Sequence, residues 1–219
     1  SALYFGSKDI TIMNSVVDMS GLNDLTRAFL RRGAGAICGM AACSDGTVEP
    51  SADTRMVAVS SFRFSETCSQ LVMRELETHG YTPLPFHAQG VGEDAMEDLI
   101  AQGMFVGVVD VVPAGLSEQM LGGNRAAKPE RLTAAGRASV PQVVATSGFD
   151  MISCGPIARR DKSDPLWLKL GLAERAYVIP DRFRVQARTT AEEVADIART
   201  VADRLNAARS AARVVVPLR

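Results

Sequence analysis

Apolar runs that alternate with helix-like segments restrict the fold of this chain more than any other feature. Residues 56–60 and 105–112 are almost wholly apolar, as expected of strands that are covered on both faces. Segments 65–78 and 93–102 lie between these runs and place apolar residues at helical spacing. Because a strand that is buried on both faces needs helices above and below it, the pattern predicts parallel strands joined by helical crossovers.

The same rhythm extends towards the end of the chain and defines the predicted fold class. Segment 190–208 is the clearest helix, because Thr190 and Glu193 form a capping box ahead of an apolar stripe. We predict an α/β fold with a doubly wound, mostly parallel sheet, a Rossmann-like or flavodoxin-like three-layer sandwich. The other predicted strands are 82–87, 142–146, 177–179 and 213–218, and the other predicted helices are 116–121 and 129–138.

The first 54 residues differ from the rest, so we predict two parts. Segment 23–32 is typical of a helix, and a run of small residues follows it at 33–40. We expect residues 1–54 to be the tail of a preceding domain with a connecting helix and a linker at 44–53, and residues 55–219 to form the α/β domain. The apolar face of this N-terminal helical appendage predicts packing on a second copy of the chain, in a homo-oligomer, or on the preceding domain.

Composition argues against several classes of partner. The chain has 219 residues, of which 47% are hydrophobic, and a net charge of −1, which disfavours a surface for nucleic acid. No apolar run approaches the length of a membrane span, and the first residues do not have the pattern of a secretory signal. The four cysteines make neither a disulfide scaffold nor a zinc pattern. We predict a cytoplasmic protein with no metal, nucleic-acid or membrane partner.

A predicted strand that runs directly into a turn with two glycines provides the main candidate site. Residues 86–92 read Phe-His-Ala-Gln-Gly-Val-Gly, and a helix-like run begins at Glu93. Glycines at the start of a helix let an anion approach free backbone N–H groups. We therefore predict that Gly90 and Gly92 cradle an anion, with His87 beside it. An ordinary strand-to-helix turn explains the same glycines, and Glu93 would compete with a bound anion.

Polar side chains at the other predicted strand ends complete this candidate site, because doubly wound folds bind ligands at the carboxyl edge of the sheet. We predict catalytic roles for His87 as general acid or base and for Asp110, with Asp150 as the alternative partner of the imidazole. The alternative interpretation is structural: Ser65 would cap a helix, and Asp110 would pair with a backbone amide. Loop arginines that could bind a phosphate or carboxylate are Arg63, Arg182, Arg184 and Arg188. The predicted ligand-binding residues are Ser60, Ser65, Gly90, Gly92, Ser147, Gly148 and Asp150.

Three familiar chemistries do not fit the chain. Asp110 ends the third strand as a phosphoacceptor would, but that chemistry needs an acidic pair after the first strand, where the chain has Ser60 and Ser61. A serine hydrolase of the α/β type needs a G-x-S-x-G turn, which is absent from the sequence. A P-loop motif for nucleotide phosphates is absent as well.

Short segments that follow one another in order carry a family resemblance, although none of them is specific alone. They are residues 7–18, 21–23, 86–92, 95–97, 107–110, 121–123, 129–132, 141–144, 149–151, 188–193 and 217–219. In order and spacing, they resemble the carboxyl-terminal half of the tobamovirus-resistance (Tm-like) ATP-binding protein family. The resemblance covers the chain from about residue 4 to its last residue.

The resemblance implies a longer protein with two α/β domains, of which this chain is a fragment or a split half. The nucleotide-binding motifs of the family lie mainly in its amino-terminal domain. ATP is therefore expected as a cofactor only through that preceding domain, and no cofactor is evident within this chain. The sequence departs from the family after Asp110, where Val112-Pro113-Ala114 stands in place of threonines and a glutamate.

These observations predict an α/β module that binds a phosphorylated or carboxylated small molecule at the carboxyl edge of its strands. One alternative is a non-catalytic module that senses a nucleotide or binds another protein, which the departure after Asp110 favours. The other is a hydrolase or isomerase that acts on a phosphorylated metabolite and uses His87 as its acid or base.

Overall fold

A computed structural model of the protein describes residues 6, 8, 10–14, 21–43 and 53–216. They belong to two compact units, one within Lys8–Ser51 and one that includes Ala52–Arg219. Among the described residues, no helix combines the length and apolar character that a membrane span requires. The four cysteines are free thiols, and only Cys154 is buried.

Eight α-helices and eight strands, numbered along the chain, are assigned in the described residues. The helices are α1 (Asp24–Cys43), α2 (Glu66–Thr78), α3 (Val91–Ala101), α4 (Ala114–Leu121), α5 (Ala134–Arg137), α6 (Ala158–Asp161), α7 (Pro165–Leu170) and α8 (Ala191–Asn206). The strands are β1 (Met56–Ser61), β2 (Thr82–His87), β3 (Gly107–Asp110), β4 (Gln142–Ala145), β5 (Met151–Ser153), β6 (Tyr177–Asp181), β7 (Arg184–Arg188) and β8 (Ala212–Val215).

The first unit contains helix α1, whose start is fixed by Asn23. Oδ1 of Asn23 accepts hydrogen bonds from the backbone N–H groups of Leu25 and Thr26, both at 3.0 Å, which is the usual role of a helix cap. The helix predicted at 23–32 is present and continues through the small residues to Cys43. The predicted linker at 44–53 lies outside the described residues, apart from Asp53.

The second unit is built on a five-stranded sheet with the order β2-β1-β3-β4-β8. All four strand pairs are parallel. This confirms the predicted doubly wound, mostly parallel sheet, and β3 lies at its centre. Val57 and Val59 of β1 pack against α2 on one face, while Ala58 between them packs against α3 and α5 on the other. Helix α8 packs on the sheet through Val144 of β4.

A smaller antiparallel sheet with the order β5-β7-β6 was not predicted. Segment 177–179, predicted as another strand in the series, lies in β6 of this second sheet. A tight turn joins β6 to β7, and Oδ1 of Asp181 stabilises it by accepting a hydrogen bond from the N–H of Phe183 at 2.9 Å. A separate apolar core that includes Ile152, Trp167 and Val185 supports this sheet.

The helix predicted at 129–138 is reduced to α5, which begins only at Ala134. Leu132 has a positive φ of 70°, and a helix cannot continue through this backbone conformation. The carboxylate of Glu97 caps α5 instead, accepting hydrogen bonds from the backbone N–H groups of Leu132, Thr133 and Ala134 at 2.7, 3.3 and 2.8 Å. The segment before α5 is thus held by a side chain from α3.

Candidate functional site

The strand order creates a crevice between the carboxyl ends of β1 and β3, because the chain leaves these neighbours in opposite directions. Doubly wound folds bind their ligands at this point. Ser60 and Asp110 lie there on adjacent strands, and both are fully buried. Oγ of Ser60 donates a hydrogen bond to Oδ1 of Asp110 at 2.7 Å and accepts one from the N–H of Val112 at 2.8 Å. Two of the predicted site residues are therefore in contact, but beneath the surface.

The guanidinium of Arg131 fills this crevice and is only 1% exposed. Nη2 lies 2.6 Å from Oδ2 of Asp110, while Nε and Nη1 donate hydrogen bonds to Glu93 and Glu97, both at 2.9 Å. Burial disfavours the charge of Arg131, but the three carboxylates together raise its pKa above the ordinary value. The side chain therefore stays a cation, and we call these four residues the Arg131 cluster.

The carboxylate of Glu93 occupies the turn that was predicted to cradle an anion. Oε2 accepts a hydrogen bond from the N–H of Gly90 at 3.0 Å, and Oε1 accepts one from the N–H of Gly115 at 2.9 Å. The backbone at Ala126 covers the turn so closely that a Cβ on Gly90 would lie 2.5 Å from its carbonyl oxygen. The anion at this helix start is therefore the protein's own carboxylate, and an external anion would have to displace it.

The charges of the Arg131 cluster are unequal, since three carboxylates face one guanidinium. Burial raises the pKa of Glu93 above its ordinary value, Arg131 opposes that rise, and Asp110 adds to it. In the part of the chain that the structure describes, no group of His, Cys, Asp or Glu side chains is arranged to hold a metal ion. The carboxylates of the cluster converge on the guanidinium.

The structure does not bring the two predicted catalytic residues together. His87 is exposed at the end of β2, and its ring stacks on Phe62 with centroids 5.3 Å apart. Nδ1 of His87 lies 3.3 Å from the carbonyl oxygen of Ser61, beside an open cleft of about 400 Å³. Because Asp110 is buried against Arg131, it is not available to orient the imidazole.

Ser65 and Gly92 serve local structure. Oγ of Ser65 accepts a hydrogen bond from the N–H of Phe62 at 3.2 Å and donates one to the Phe62 carbonyl at 3.1 Å, which closes the turn before α2. A Cβ on Gly92 would lie 2.2 Å from the carbonyl oxygen of His87. Glycine at this position therefore allows α3 to start close to the end of β2.

The three predicted residues after β4 have different surroundings. Ser147 is half-buried in a turn. Gly148 is buried with a φ of 84°, and a Cβ on it would lie 2.9 Å from that of Ala114. Asp150 is exposed, forms an ion pair with Arg188 and lines a groove of about 190 Å³ on the small sheet. Asp150 and Gly148 therefore line two different cavities.

Arg125 marks a cleft that the sequence did not predict. Its guanidinium is half-buried and lies 4.6 Å above the ring of Phe62. With the residues that the structure describes, this guanidinium forms no hydrogen bond or ion pair. Its pKa is lowered by burial and by the nearby charge of Arg184, while Glu118 opposes that change.

The cleft beside this guanidinium, here called the Arg125 cleft, has a volume of about 220 Å³. It lies between the carboxyl edge of the main sheet and the small sheet, because β5 and β7 both contribute to its walls. Its polar lining residues are Gln89, Asn124, Arg125, Ser153 and Arg184. Of these, the sequence analysis identified only Arg184 as a candidate for binding an anion.

Glu118 of α4 lies beneath the same cleft and is 3% exposed. Oε1 accepts a hydrogen bond from the backbone N–H of Ser153 at 2.9 Å. Burial raises the pKa of Glu118 to about 7, although Ser153 and Arg125 act in the opposite direction. Glu118 and Arg125 line a narrow internal cavity together. A Cβ on Gly123 would lie 1.6 Å from Oε2 of Glu118, so the glycine is required to accommodate the buried carboxyl group.

The sequence contained one weak signal for these residues. Segment 121–123, with its two glycines, was part of the family resemblance, and Arg125 follows two residues later. Neither Arg125 nor Glu118 stood out, because a sequence shows neither the burial of a charge nor the absence of its partner.

Replacing Arg131 with methionine is expected to destabilise the protein by about 3–5 kcal/mol, because it leaves buried carboxylates without their cation. The matched control is Arg199→Met, since Arg199 is 71% exposed in its ion pair with Asp196 and its loss should change stability by no more than about 0.5 kcal/mol. Urea unfolding measures both. Equal, small effects would mean that the Arg131 cluster contributes little to stability.

Gly92→Ala is expected to lower stability by about 2 kcal/mol or more, because its Cβ would overlap the His87 carbonyl oxygen. Gly107→Ala is the control, since its Cβ would meet neighbouring atoms only at 3.8 Å or beyond. The melting temperatures of the two variants measure the difference. A Gly92→Ala protein as stable as the control would contradict the close approach of α3 to β2.

Glu118→Gln is expected to change the pH dependence of stability. The pKa of Glu118 is raised from 4.5 to about 7 on folding, so its contribution to stability is complete below about pH 4.5 and is lost as the pH rises through about 7. From about pH 4.5 to about pH 7, the free energy of unfolding of Glu118→Gln should therefore rise by about 3 kcal/mol relative to that of the wild type. Urea unfolding at several pH values measures this gain.

Exposed Glu77 provides the control for this series. Glu77→Gln should show no such gain with pH. A constant difference between Glu118→Gln and the wild type would show that Glu118 ionises normally in the folded protein.

Comparison with known proteins identifies the relatives of the chain. Residues 54–219 match the C-terminal domain of Uncharacterised protein family (UPF0261), and residues 1–45 match the N-terminal domain of the same family. A UPF0261 protein of Clostridium tetani is 33% identical over 216 residues, which are 99% of this chain and 51% of the relative. A UPF0261 protein of Rhizobium meliloti is 29% identical over 221 residues, with the same shares.

The ToMV resistance protein Tm-1(GCR237) of Solanum lycopersicum is also similar, with 30% identity over 220 residues. This alignment covers 98% of the chain and 28% of the tomato protein. The match confirms the family relationship that the ordered sequence segments indicated. The chain spans about half the length of the bacterial relatives and less of the tomato protein.

Proposed function

The chain belongs to the uncharacterised protein family UPF0261, and we propose that its α/β unit binds a small phosphorylated or carboxylated molecule in the Arg125 cleft. The observation that carries the proposal is the half-buried guanidinium of Arg125, which has no hydrogen-bonding acceptor among the described residues. Partly buried charges are normally paired. An anionic ligand would supply the acceptor.

The arrangement of Arg125 favours a ligand with two oxygens in one plane. The contact with the Phe62 ring favours this position of the guanidinium before a ligand arrives. A guanidinium donates two parallel hydrogen bonds to a carboxylate or phosphate. Arg184 adds a second positive charge to the cleft, although Nη2 of its guanidinium already lies 2.5 Å from Oδ2 of Asp181.

The remaining lining of the Arg125 cleft suits a small polar molecule. Gln89, Asn124 and Ser153 provide amide and hydroxyl groups around the two arginines. The volume of about 220 Å³ lies below the range of about 300–1,000 Å³ that is typical of sites for drug-sized ligands. We therefore propose a small metabolite as the ligand.

Binding without catalysis is the version of this function that we favour. The alternative reaction, a hydrolysis or isomerisation, relied on His87 with Asp110 or Asp150 as its partner, and Asp150 forms an ion pair with Arg188. Asp110 is buried against Arg131, and His87 does not line the Arg125 cleft. A binding role needs neither residue.

Arg125→Met is expected to weaken binding of inorganic phosphate at least tenfold, since charged hydrogen bonds contribute about 1.5–3 kcal/mol each. Methionine keeps an apolar side chain over Phe62, so the fold should be maintained. The rise in melting temperature with phosphate concentration, at constant ionic strength, measures the affinity by mass action. Arg125→Lys should lose less, because it retains the positive charge.

Arg199→Met is the matched control, because it removes an arginine that does not line the cleft. Its phosphate affinity should equal that of the wild type. Sulfate, malonate and ATP in the same assay test the class of anion, and tight binding of ATP alone would favour nucleotide sensing. Equal affinity of Arg125→Met and the wild type, or no response of the wild type to any of these anions, would refute the proposal.

A further inference from the structure

We propose that Glu118 takes up a proton when the Arg125 cleft binds its anion, so that the protein binds anion and proton together. The inference rests on the proposed function of the cleft. It concerns a residue that does not itself touch the ligand and that acts through Arg125. Glu118 is thus a positioning residue that controls the charge beneath the site.

Two connections link Glu118 to the cleft. Arg125 lines the narrow cavity that it shares with Glu118, and it also lines the open cleft. Ser153 lines the cleft as well, and its backbone N–H donates to Oε1 of Glu118 at 2.9 Å. Through either Arg125 or Ser153, only one residue lies between the buried carboxyl group of Glu118 and the proposed position of the anion.

The charges that face Glu118 explain why the anion affects it. Arg125, from the loop after α4, is the nearby cation, and no ion pair within 4 Å joins Glu118 to any described residue. From β5 and the residue after it come Ser153 and the thiol of Cys154, whose pKa burial raises to about 11. That thiol is neutral at physiological pH. Arg184, from β7, is the other cation on this side, and it lowers the pKa of Arg125.

An anion on Arg125 weakens one of the interactions that favour the ionised form of Glu118; the hydrogen bonds with Ser153 remain. The guanidinium then shares its charge with the ligand, and the negative charge of the ligand repels the carboxylate. A proton from the solvent relieves both effects by converting the Glu118 carboxylate into a neutral carboxyl group, and it returns to the solvent when the anion leaves. The pKa of Glu118 is about 7 without a ligand, so this exchange takes place near neutral pH.

Isothermal titration calorimetry with sulfate tests the coupling, because sulfate remains a dianion between about pH 6 and about pH 9. If bound sulfate raises the pKa of Glu118 by about one unit, the affinity should fall about tenfold across this range. Titrations at about pH 7.5 in two buffers with different ionisation enthalpies should reveal net proton uptake by the wild type. Glu118→Gln should bind sulfate with no proton uptake and with the same affinity at each pH.

His87→Gln is the matched control, since it removes an imidazole that does not line the Arg125 cleft. It should retain both the proton uptake and the pH dependence of the wild type. Loss of the coupling in His87→Gln, with its retention in Glu118→Gln, would overturn the inference. If Glu118→Gln does not fold, ¹³C NMR of the Glu118 carboxyl in the wild type replaces it, and the titration midpoint should move to higher pH with sulfate.

The outcomes separate the two proposals. Sulfate binding that depends on Arg125 but not on pH would overturn the coupling and leave the anion site intact. An unchanged ¹³C midpoint in the presence of bound sulfate would have the same meaning. A wild type that binds no sulfate at any pH, and none of the other anions, would refute the site and the coupling together.

Discussion

The ion pairs of Arg131 hold together the part of the fold where a ligand would be expected. They connect α3, through Glu93 and Glu97, to the end of β3 at Asp110. Burial of so many charges is costly unless each group is paired and hydrogen-bonded. Here Ser60 and the backbone N–H groups of Gly90 and Gly115 complete the pairing. The crevice between β1 and β3 is therefore filled by paired side chains of the core.

Because the Arg131 cluster fills that crevice, the small sheet provides the other walls for a site at the same edge. Its strands β5 and β7 bring Ser153 and Arg184 opposite the loop that carries Arg125, and Ser153 also contacts Glu118 of α4. In a doubly wound fold without such an addition, the strand ends themselves would provide the ligand contacts. In this chain the proposed binding groups come from the turn after β2, from the loop at 122–128 and from the inserted sheet.

The sequence predicted what depends on local pattern. The apolar runs identified β1 to β4, and the Thr190–Glu193 capping box identified the start of α8, because both signals arise within a few residues. It did not predict β5, which has only three residues and pairs with the distant β7, and it did not predict β7, which forms a hairpin with β6. The glycines at 90 and 92 were recognised as a helix-start turn. The sequence did not show that the Glu93 carboxylate occupies this turn, because the hydrogen bonds of Glu93 with Gly115 and Arg131 are tertiary contacts.

The two arginines at this edge show why charge alone does not identify a binding residue. Arg131 is the more deeply buried, yet three carboxylates use all sides of its guanidinium. Arg125 is less buried and has an aromatic ring as its direct contact, so its hydrogen-bond donors are available. The carboxyl groups differ in the same way, since Glu93 has Arg131 as a direct partner and Glu118 has no ion pair among the described residues. A charge that is removed from water and has no ion-pair partner in the described fold is therefore the better sign of function, and at this edge Arg125 and Glu118 fit that description.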